Sequence, residues 1–366
     1  MVIQAARLKR RIMSFEGWTH LVDPSPQEIQ GIAETLSSVE TLHPVAESRL
    51  TKASGYDDLI FPRLESHDDY LFGELAFPVW AKTRDDENLH DGDEDIRDFE
   101  VGSIGIQVIL TQNKLVTVVH TPADIPIDRT TGELVKLPDL EKLRDEIEGN
   151  LSTGLCFAHL IDHISKVSKS ILGKILDETE WLEKKVIDEG EPPEKCRQFI
   201  SHLRSSFLEM QTMIEPSVSL VNDIINDELD LKEFDEDGNI VLEVTEAGEE
   251  IEKEVFPREI EIYLIDTRSL LRHDLQQTTF GLGMMDVIGN DLSDHHSREQ
   301  ASHGNRLAAI FSIFLLPTFV VGLYGMNIDS SYFPEFGLMN GYLFAGLLIL
   351  VLSVGQGFLF KKLKWL

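Results

Sequence analysis

The chain has 366 residues, with 64 Asp and Glu against 33 Lys and Arg, and a formal charge of −31. That length exceeds one small core, so more than one domain is expected. So acidic a surface repels phosphate backbones and argues against nucleic acid as a partner, and the only two cysteines, Cys156 and Cys196, lack the CxxC spacing of a thiolate metal cluster or the pattern of a disulfide framework.

Arg7, Lys9, Arg10 and Arg11 have no apolar run behind them, so no secretory signal is expected and the large N-terminal region should stay in the cytoplasm. His43-Pro44-Val45-Ala46-Glu47 has the composition of a turn opening a short helix. Residues 69–79 are rich in strand formers, and residues 84–98 form a charged, His-containing loop. Residues 103–110 and 115–120, joined by a turn at Gln112-Asn113, predict a hairpin. From Leu140 to about Asn226 apolar residues recur at helical spacing, broken at Pro192-Pro193, which predicts two long antiparallel helices. Residues 227–254 hold 13 acidic residues against 2 basic ones, with a hairpin turn predicted at Asp237-Gly238. From Arg258 to Met326 no proline interrupts a helical pattern until Pro317. A helix of that length, roughly 100 Å at 1.5 Å per residue, cannot fit inside one compact domain.

Residues 307–326 carry no charge, and as a helix they span roughly 30 Å, the thickness of a bilayer's hydrocarbon core. Residues 341–360 repeat the pattern, with Gln356 as the most polar member. Pro317 inside the first span is tolerable, because neighbouring helices can satisfy the freed carbonyl. Basic residues lie at Arg306 and in the Lys361, Lys362, Lys364 tail, and the link between the spans has none. Positive ends stay inside, so both termini are expected in the cytoplasm of a multi-pass protein of the plasma or inner membrane. The predicted order is a cytoplasmic α+β domain (1–257), a stalk helix (258–306), a first transmembrane helix (307–326), an external loop (327–340), a second transmembrane helix (341–360) and a basic tail (361–366).

Gly325-Met326-Asn327 ends the first span, Phe333-Pro334-Glu335-Phe336 follows in the loop, and Lys361-Lys-Leu-Lys-Trp-Leu366 ends the chain. His43-Pro44 with Glu47, the 103–120 hairpin and Leu160-Ile161-Asp162 precede them in order. With these features the chain resembles the CorA-type divalent-cation transporters, which carry magnesium and often cobalt or nickel. The likeness covers most of the chain, loosely over the first 150 residues and closely from about residue 258. It implies a homopentameric, funnel-shaped channel whose cytoplasmic domain is a mixed sheet flanked by helices. It also implies that Gly325, Met326 and Asn327 form a selectivity filter, with Pro334 and Glu335 in the external loop.

Magnesium is small and dehydrates reluctantly, so a site that catches it hydrated should offer neutral acceptors to its waters. Asn327 supplies an amide carbonyl, and Gly325 can expose a backbone carbonyl with no Cβ in the way. Taken alone, both residues are equally good helix caps. Counting back from Gly322, the residues Thr318, Leu315, Phe311 and Leu307 fall on one helical face. Spacing alone does not separate a pore-lining face from one packed on the second span; the resemblance implies the pore, with Leu315 and Leu307 as apolar constrictions. It further implies a regulatory magnesium site between cytoplasmic domains, drawing on Glu47, Asp162 and Asp266. Ala301 and Asn290 depart from the family's inner-pore pattern.

Other signals are weaker. Asp91–Asp98 resembles a calcium loop but has Ile96 and Gly102 at the glycine and glutamate positions, and Glu233-Asp235-Asp237-Gly238 has Val244 where a glutamate is needed. His295, His296 and His303 are soft-metal ligands by type, with solvated side chains as the plainer reading. Gly281-Leu282-Gly283 lacks the third glycine and lysine of a phosphate cradle. No nucleophile–base pair appears, so neither an enzyme nor an organic cofactor is expected; magnesium is both cargo and candidate regulator. On sequence alone a zinc-carrying branch of the same superfamily and a non-conducting membrane-anchored sensor or scaffold remain open.

Overall fold

The computed structural model describes residues 12–15, 17–36, 42–52, 60–67, 69–81, 99–122, 125–128, 131–138, 140, 143, 152–190, 196–229, 231, 242–244, 250–252, 254–326 and 341–363. The chain forms two compact units, Met1–Ile288 and Gly289–Leu366.

The first unit is built on a six-stranded sheet of order β1-β2-β6-β5-β4-β3. Its strands are β1 (Ile12–Phe15), β2 (Trp18–Val22), β3 (Arg63–Ser66), β4 (Leu71–Ala81), β5 (Glu100–Leu110) and β6 (Leu115–Val119). β4 and β5 pair antiparallel along their whole length, from Leu71↔Leu110 to Ala81↔Glu100. β5 and β6 form the predicted hairpin, closed by the Thr111 N–H donating to the Lys114 carbonyl at 2.9 Å. β2 joins β6 in parallel, the pairing that makes the sheet mixed. Nearly all of β4, β5 and β6 is buried on both faces, which explains their continuous Val, Ile, Leu and Phe runs.

Helices α1 (Pro26–Thr35) and α2 (Pro44–Leu50) cover one face. Ile29, Ile32, Ala46 and Leu50 pack there with Phe72, Ile109, Val116 and Val118. Pro44 stands at the start of α2, where its missing N–H is no loss, and His43 Nδ1 accepts from the Val45 N–H at 3.3 Å. Alternation sends Thr117 to the other face of β6. There its hydroxyl receives the Trp18 indole N–H at 3.0 Å and lies 2.9 Å from His20 Nδ1.

Two long helices follow. α3 (Thr153–Glu183) is capped by the Ser152 hydroxyl, which accepts from the Leu155 N–H at 3.2 Å, and passes into a π turn at Lys184–Asp188. α4 (Cys196–Ile225) contains Pro216, which has no N–H to donate to the carbonyl one turn back. The helical pattern expected from Leu140 becomes a continuous described helix at Thr153, and Pro192-Pro193 lies outside the described residues. α3 packs on β4, placing the His163 ring 6.1 Å from Phe77.

A small ribbon of β7 (Leu242–Val244) and β8 (Glu250–Glu252) lies in the acidic segment. Its strands pair antiparallel from Leu242↔Glu252 to Val244↔Glu250, and the turn predicted at Asp237-Gly238 lies outside the described residues.

α5 (Arg258–Tyr324) is one helix of 67 residues, and α6 (Gly341–Lys362) is the last element. Within the first unit α5 buries Glu261, which Arg258 pairs, and a seam of Ile260, Leu264, Thr267, Leu271, Asp274, Thr278, Gly281, Met285 and Ile288. The seam residues alternate at steps of four and three, the spacing of a coiled coil. The seam faces α3 and α4. Gly281 sits under Phe207 of α4, where a Cβ would come within 2.2 Å of the ring, and Arg268 and Arg272 donate to Asn222 Oδ1 at 3.3 and 3.4 Å.

Two predictions follow from this packing. A Cβ at Gly154, in the first turn of α3, would lie 2.0 Å from the Val255 carbonyl oxygen, which is backbone and cannot swing aside. Gly154→Ala should therefore cost about 1–3 kcal/mol in chemical unfolding, despite alanine's better helix propensity. His20 is buried, and burial lowers its pKa from 6.5 to about 4, with a backbone hydrogen bond at Thr117 opposing the shift. Its neutral form is favoured by the fold, so the stability it supports is present above pH 6.5 and lost as pH falls toward 4, up to about 3 kcal/mol. His20→Gln should flatten the stability curve over that interval.

Candidate functional site

In the second unit, charge stops at Arg306 and the remaining described part of α5 is apolar, as is α6 up to Lys361. Two helices here are long and apolar enough to cross a membrane, and most of their surface is bare. Phe311 is 69 % exposed and Leu315 71 %; Leu347 and Phe358 on α6 are similar. A core helix of a water-soluble domain does not leave such side chains uncovered.

Burial along α5 distinguishes the packed side of this segment from its bare sides. Leu307, Phe311, Leu315, Thr318 and Gly322 are all exposed, whereas Ala309 and Val320 are buried. At 100° per residue the exposed stripe centres about 170° around the helix from the buried pair. The packed face of this segment is therefore the Ala309/Val320 side, and the stripe points away from it. Thr318 is the stripe's one hydroxyl. Its O–H donates to the Phe314 carbonyl at 2.7 Å, so its lone pairs remain outward as acceptors.

Helix α5 ends at Tyr324, and Gly325 closes it. The Gly325 N–H donates to the Val321 carbonyl at 2.9 Å and the Met326 N–H to the Leu323 carbonyl at 3.3 Å. A Cβ on Gly325 would come 3.1 Å from the Val321 oxygen, tighter than ordinary contact. Gly325 and Met326 are exposed; Asn327, Pro334 and Glu335 lie outside the described residues.

The second group of candidates lies in the first unit. Asp162 on α3 is buried, and its Oδ2 lies 2.7 Å from Lys166 Nζ one turn on. Tyr263 on α5 stands beside it, with its hydroxyl 3.2 Å from His159 Nδ1. Burial raises the Tyr263 pKa most, followed by the charge of Asp162, a hydrogen bond to Asp162 and the charge of Asp266. Tyr263 thus joins the neighbourhoods of Asp162 and Asp266, the latter exposed. Glu47 is in the first turn of α2, and no described contact links it to either aspartate. Among the described residues no three His, Cys, Asp or Glu side chains of one chain are grouped to hold a metal ion. His159, Lys166 and Tyr263 had a legible signal: each lies three or four residues from a predicted aspartate on the same helix.

His295, His296 and His303 are exposed on α5, and His296 Nδ1 is 3.8 Å from Glu299 Oε2. Asn290 and Ala301 are exposed on the same helix. Gly281-Leu282-Gly283 is helical, so no phosphate-cradling loop exists there. Both calcium-like motifs fall largely outside the described residues; of their test positions, Gly102 pairs with Val79 in the sheet and Val244 with Glu250 in the ribbon.

Comparison with known proteins agrees with these features. Residues 17–362 match the family described as CorA-like Mg2+ transporter protein. The cobalt/magnesium transport protein CorA of Thermotoga maritima is 24 % identical over 316 residues, covering 83 % of this chain and 73 % of that protein. The complete CorA magnesium transporter structure from Methanocaldococcus jannaschii superposes with a TM-score of 0.63 at 16 % identity, over 97 % of this chain and 94 % of that one. The full-length CmaX structure gives 0.59 at 16 % identity, over 99 % and 93 %. At those identities the structural likeness establishes the fold.

Proposed function

The chain belongs to the CorA-like Mg2+ transporter family, and from that premise we propose that it is a passive channel for hydrated divalent cations, magnesium first, with cobalt and nickel as further cargo. The observation that carries this reading is the facing of α5. The stripe Leu307, Phe311, Leu315, Thr318, Gly322 is bare and opposite the packed side, and it leads directly to Gly325. Five copies around an axis turn that stripe toward a common conduit.

In this assembly Gly325, Met326 and Asn327 ring the outer mouth, with Pro334 and Glu335 in the loop beside it. Neutral carbonyl oxygens hold the ion through its water shell, and Thr318 repeats that offer deeper in. Leu315 and Leu307 form apolar constrictions that close by dewetting. Both termini face the cytoplasm, with the Lys361 and Lys362 ammonium groups on that side. An inside-negative potential draws a divalent ion inward with about 4.6 kcal/mol per 100 mV, so no nucleotide is needed.

Regulation follows from the carboxylates. Asp162 and Asp266, with Glu47 entering from an adjacent copy, take a divalent ion between cytoplasmic domains. The ion neutralises their repulsion and holds the closed state; its loss loosens the interface. In this chain Lys166 already compensates Asp162, which weakens the site relative to a pair of bare carboxylates.

Liposome flux measures the first claim. Wild type should admit magnesium faster as an inside-negative potential is imposed, and Asn327→Ala should reduce influx at least tenfold while migrating at the wild-type oligomer size. Wild-type influx by that variant removes the filter. Limited proteolysis measures the second: millimolar magnesium should protect α5 in wild type and lose that effect in the Asp162→Asn, Asp266→Asn double variant. Equal protection in both disproves the sensor and leaves conduction standing.

A further inference from the structure

Asp274 is the one ionisable side chain among the seam positions of α5 between Ile260 and Ile288. It is 1 % exposed. Its Oδ2 is buried and accepts no hydrogen bond among the described residues. The hydroxyl of Thr278, one turn on, donates to the Asp274 backbone carbonyl at 2.8 Å instead of to the carboxyl. Glu261, another buried carboxylate of α5, differs by having Arg258 as its partner. The charged groups close enough to act on Asp274 are His273, next to it on α5, and Lys169 on α3. Both favour the carboxylate, yet burial outweighs them and pushes the pKa from 3.8 up to about 6.

A polar residue at a seam position is retained at a cost in packing energy, and it gives the seam two states. We infer that Asp274 is a proton-operated latch: as a neutral acid it lets α5 close on α3 and α4, and as a carboxylate it loosens them. An ionised oxygen without a donor in an apolar seam is relieved only by admitting water, which means parting the helices. A proton removes that demand, because the neutral carboxyl brings its own donor. The sign is fixed by the direction of the shift. A carboxyl whose folded pKa is raised supports the fold fully below its ordinary 3.8 and loses that support as pH rises through about 6. Acid therefore tightens this seam, the opposite of its effect at His20 on the sheet. The latch is independent of whether the chain conducts ions.

Thermal unfolding of the full-length protein in detergent, from pH 5 to pH 8, tests it. Asparagine copies the neutral acid, so Asp274→Asn should be more heat-resistant than wild type at pH 8. The gap should narrow by about tenfold in the folding equilibrium from pH 8 to pH 5 and close only below the ordinary 3.8. The same gap at both pH values, or wild type ahead at pH 8, overturns the proposal. His273→Gln must leave the pH dependence of the gap in place; its disappearance assigns the proton to His273 and also overturns the proposal. If Asp274→Asn does not fold, hydrogen exchange on the wild type decides. Amides 267–281, corrected for intrinsic rates, should gain protection over amides 199–213 on going from pH 7.5 to pH 5.5, and an unchanged ratio overturns the latch.

Discussion

The apolar surface of α6 and the C-terminal part of α5 sets the terms for everything else. Among the described residues, sixteen large apolar side chains from Leu307 to Leu359 stand exposed. Leaving them in water costs on the order of 15–30 kcal/mol, more than the whole stability of a typical domain. No rearrangement within one chain recovers that sum, because a pair of helices can cover only one stripe of each. The surface demands hydrocarbon, other copies of the chain, or both. That demand makes an exposed stripe a candidate conduit, since in the proposed assembly stripes turned toward a common axis leave the remaining faces for lipid.

Charge is distributed to suit that arrangement. Asp and Glu account for the chain's −31, yet none falls within residues 307–326 or 341–360. A carboxylate in an ion's path binds a divalent cation tightly and slows its release, whereas a neutral oxygen contacts the hydration shell without replacing it. The described acidic residues lie outside the two apolar spans, and the proposed regulatory site puts a divalent ion among carboxylates of the first unit. Asp162, buried and held by Lys166, marks how far that principle is softened here. A tethered ammonium on the same helix supplies part of the neutralisation that a free ion would otherwise provide.

Elements governed by local chemistry were legible in the sequence. The hairpin of β5 and β6, the helix opened by Pro44, the start of α5 at Arg258 and the two spans each follow from propensity, capping or length. Elements that depend on distant partners were not. β2 is five residues long and includes Thr19 and His20, both buried, so alternation does not announce it. It exists because β6, almost a hundred residues away, offers a parallel edge and a hydroxyl at Thr117. For the candidate site, spacing disclosed which residues of α5 share a face but not which way that face looks. Only the burial of Ala309 and Val320 supplied the direction. The spacing of Tyr263 from Asp266 was legible, but its approach to Asp162 depends on α3 lying against α5.

The seam of α5 shows why such partner-dependent features carry regulation. A 3–4 alternation specifies contact, and eight of the nine positions between Ile260 and Ile288 obey it with uncharged side chains. Gly281 goes further and gives up its side chain so that Phe207 can seat. A sequence selected for cohesion alone would place a leucine at position 274, gaining about 1.5–3 kcal/mol of burial. Retaining a carboxyl there keeps the seam near balance at neutral pH. Only an element near balance can be moved by the small free energies that a proton or a divalent ion brings, because a ligand shifts an equilibrium by no more than its differential affinity for the two states. The cohesion given up at Asp274 is therefore what makes the helix answerable to its surroundings.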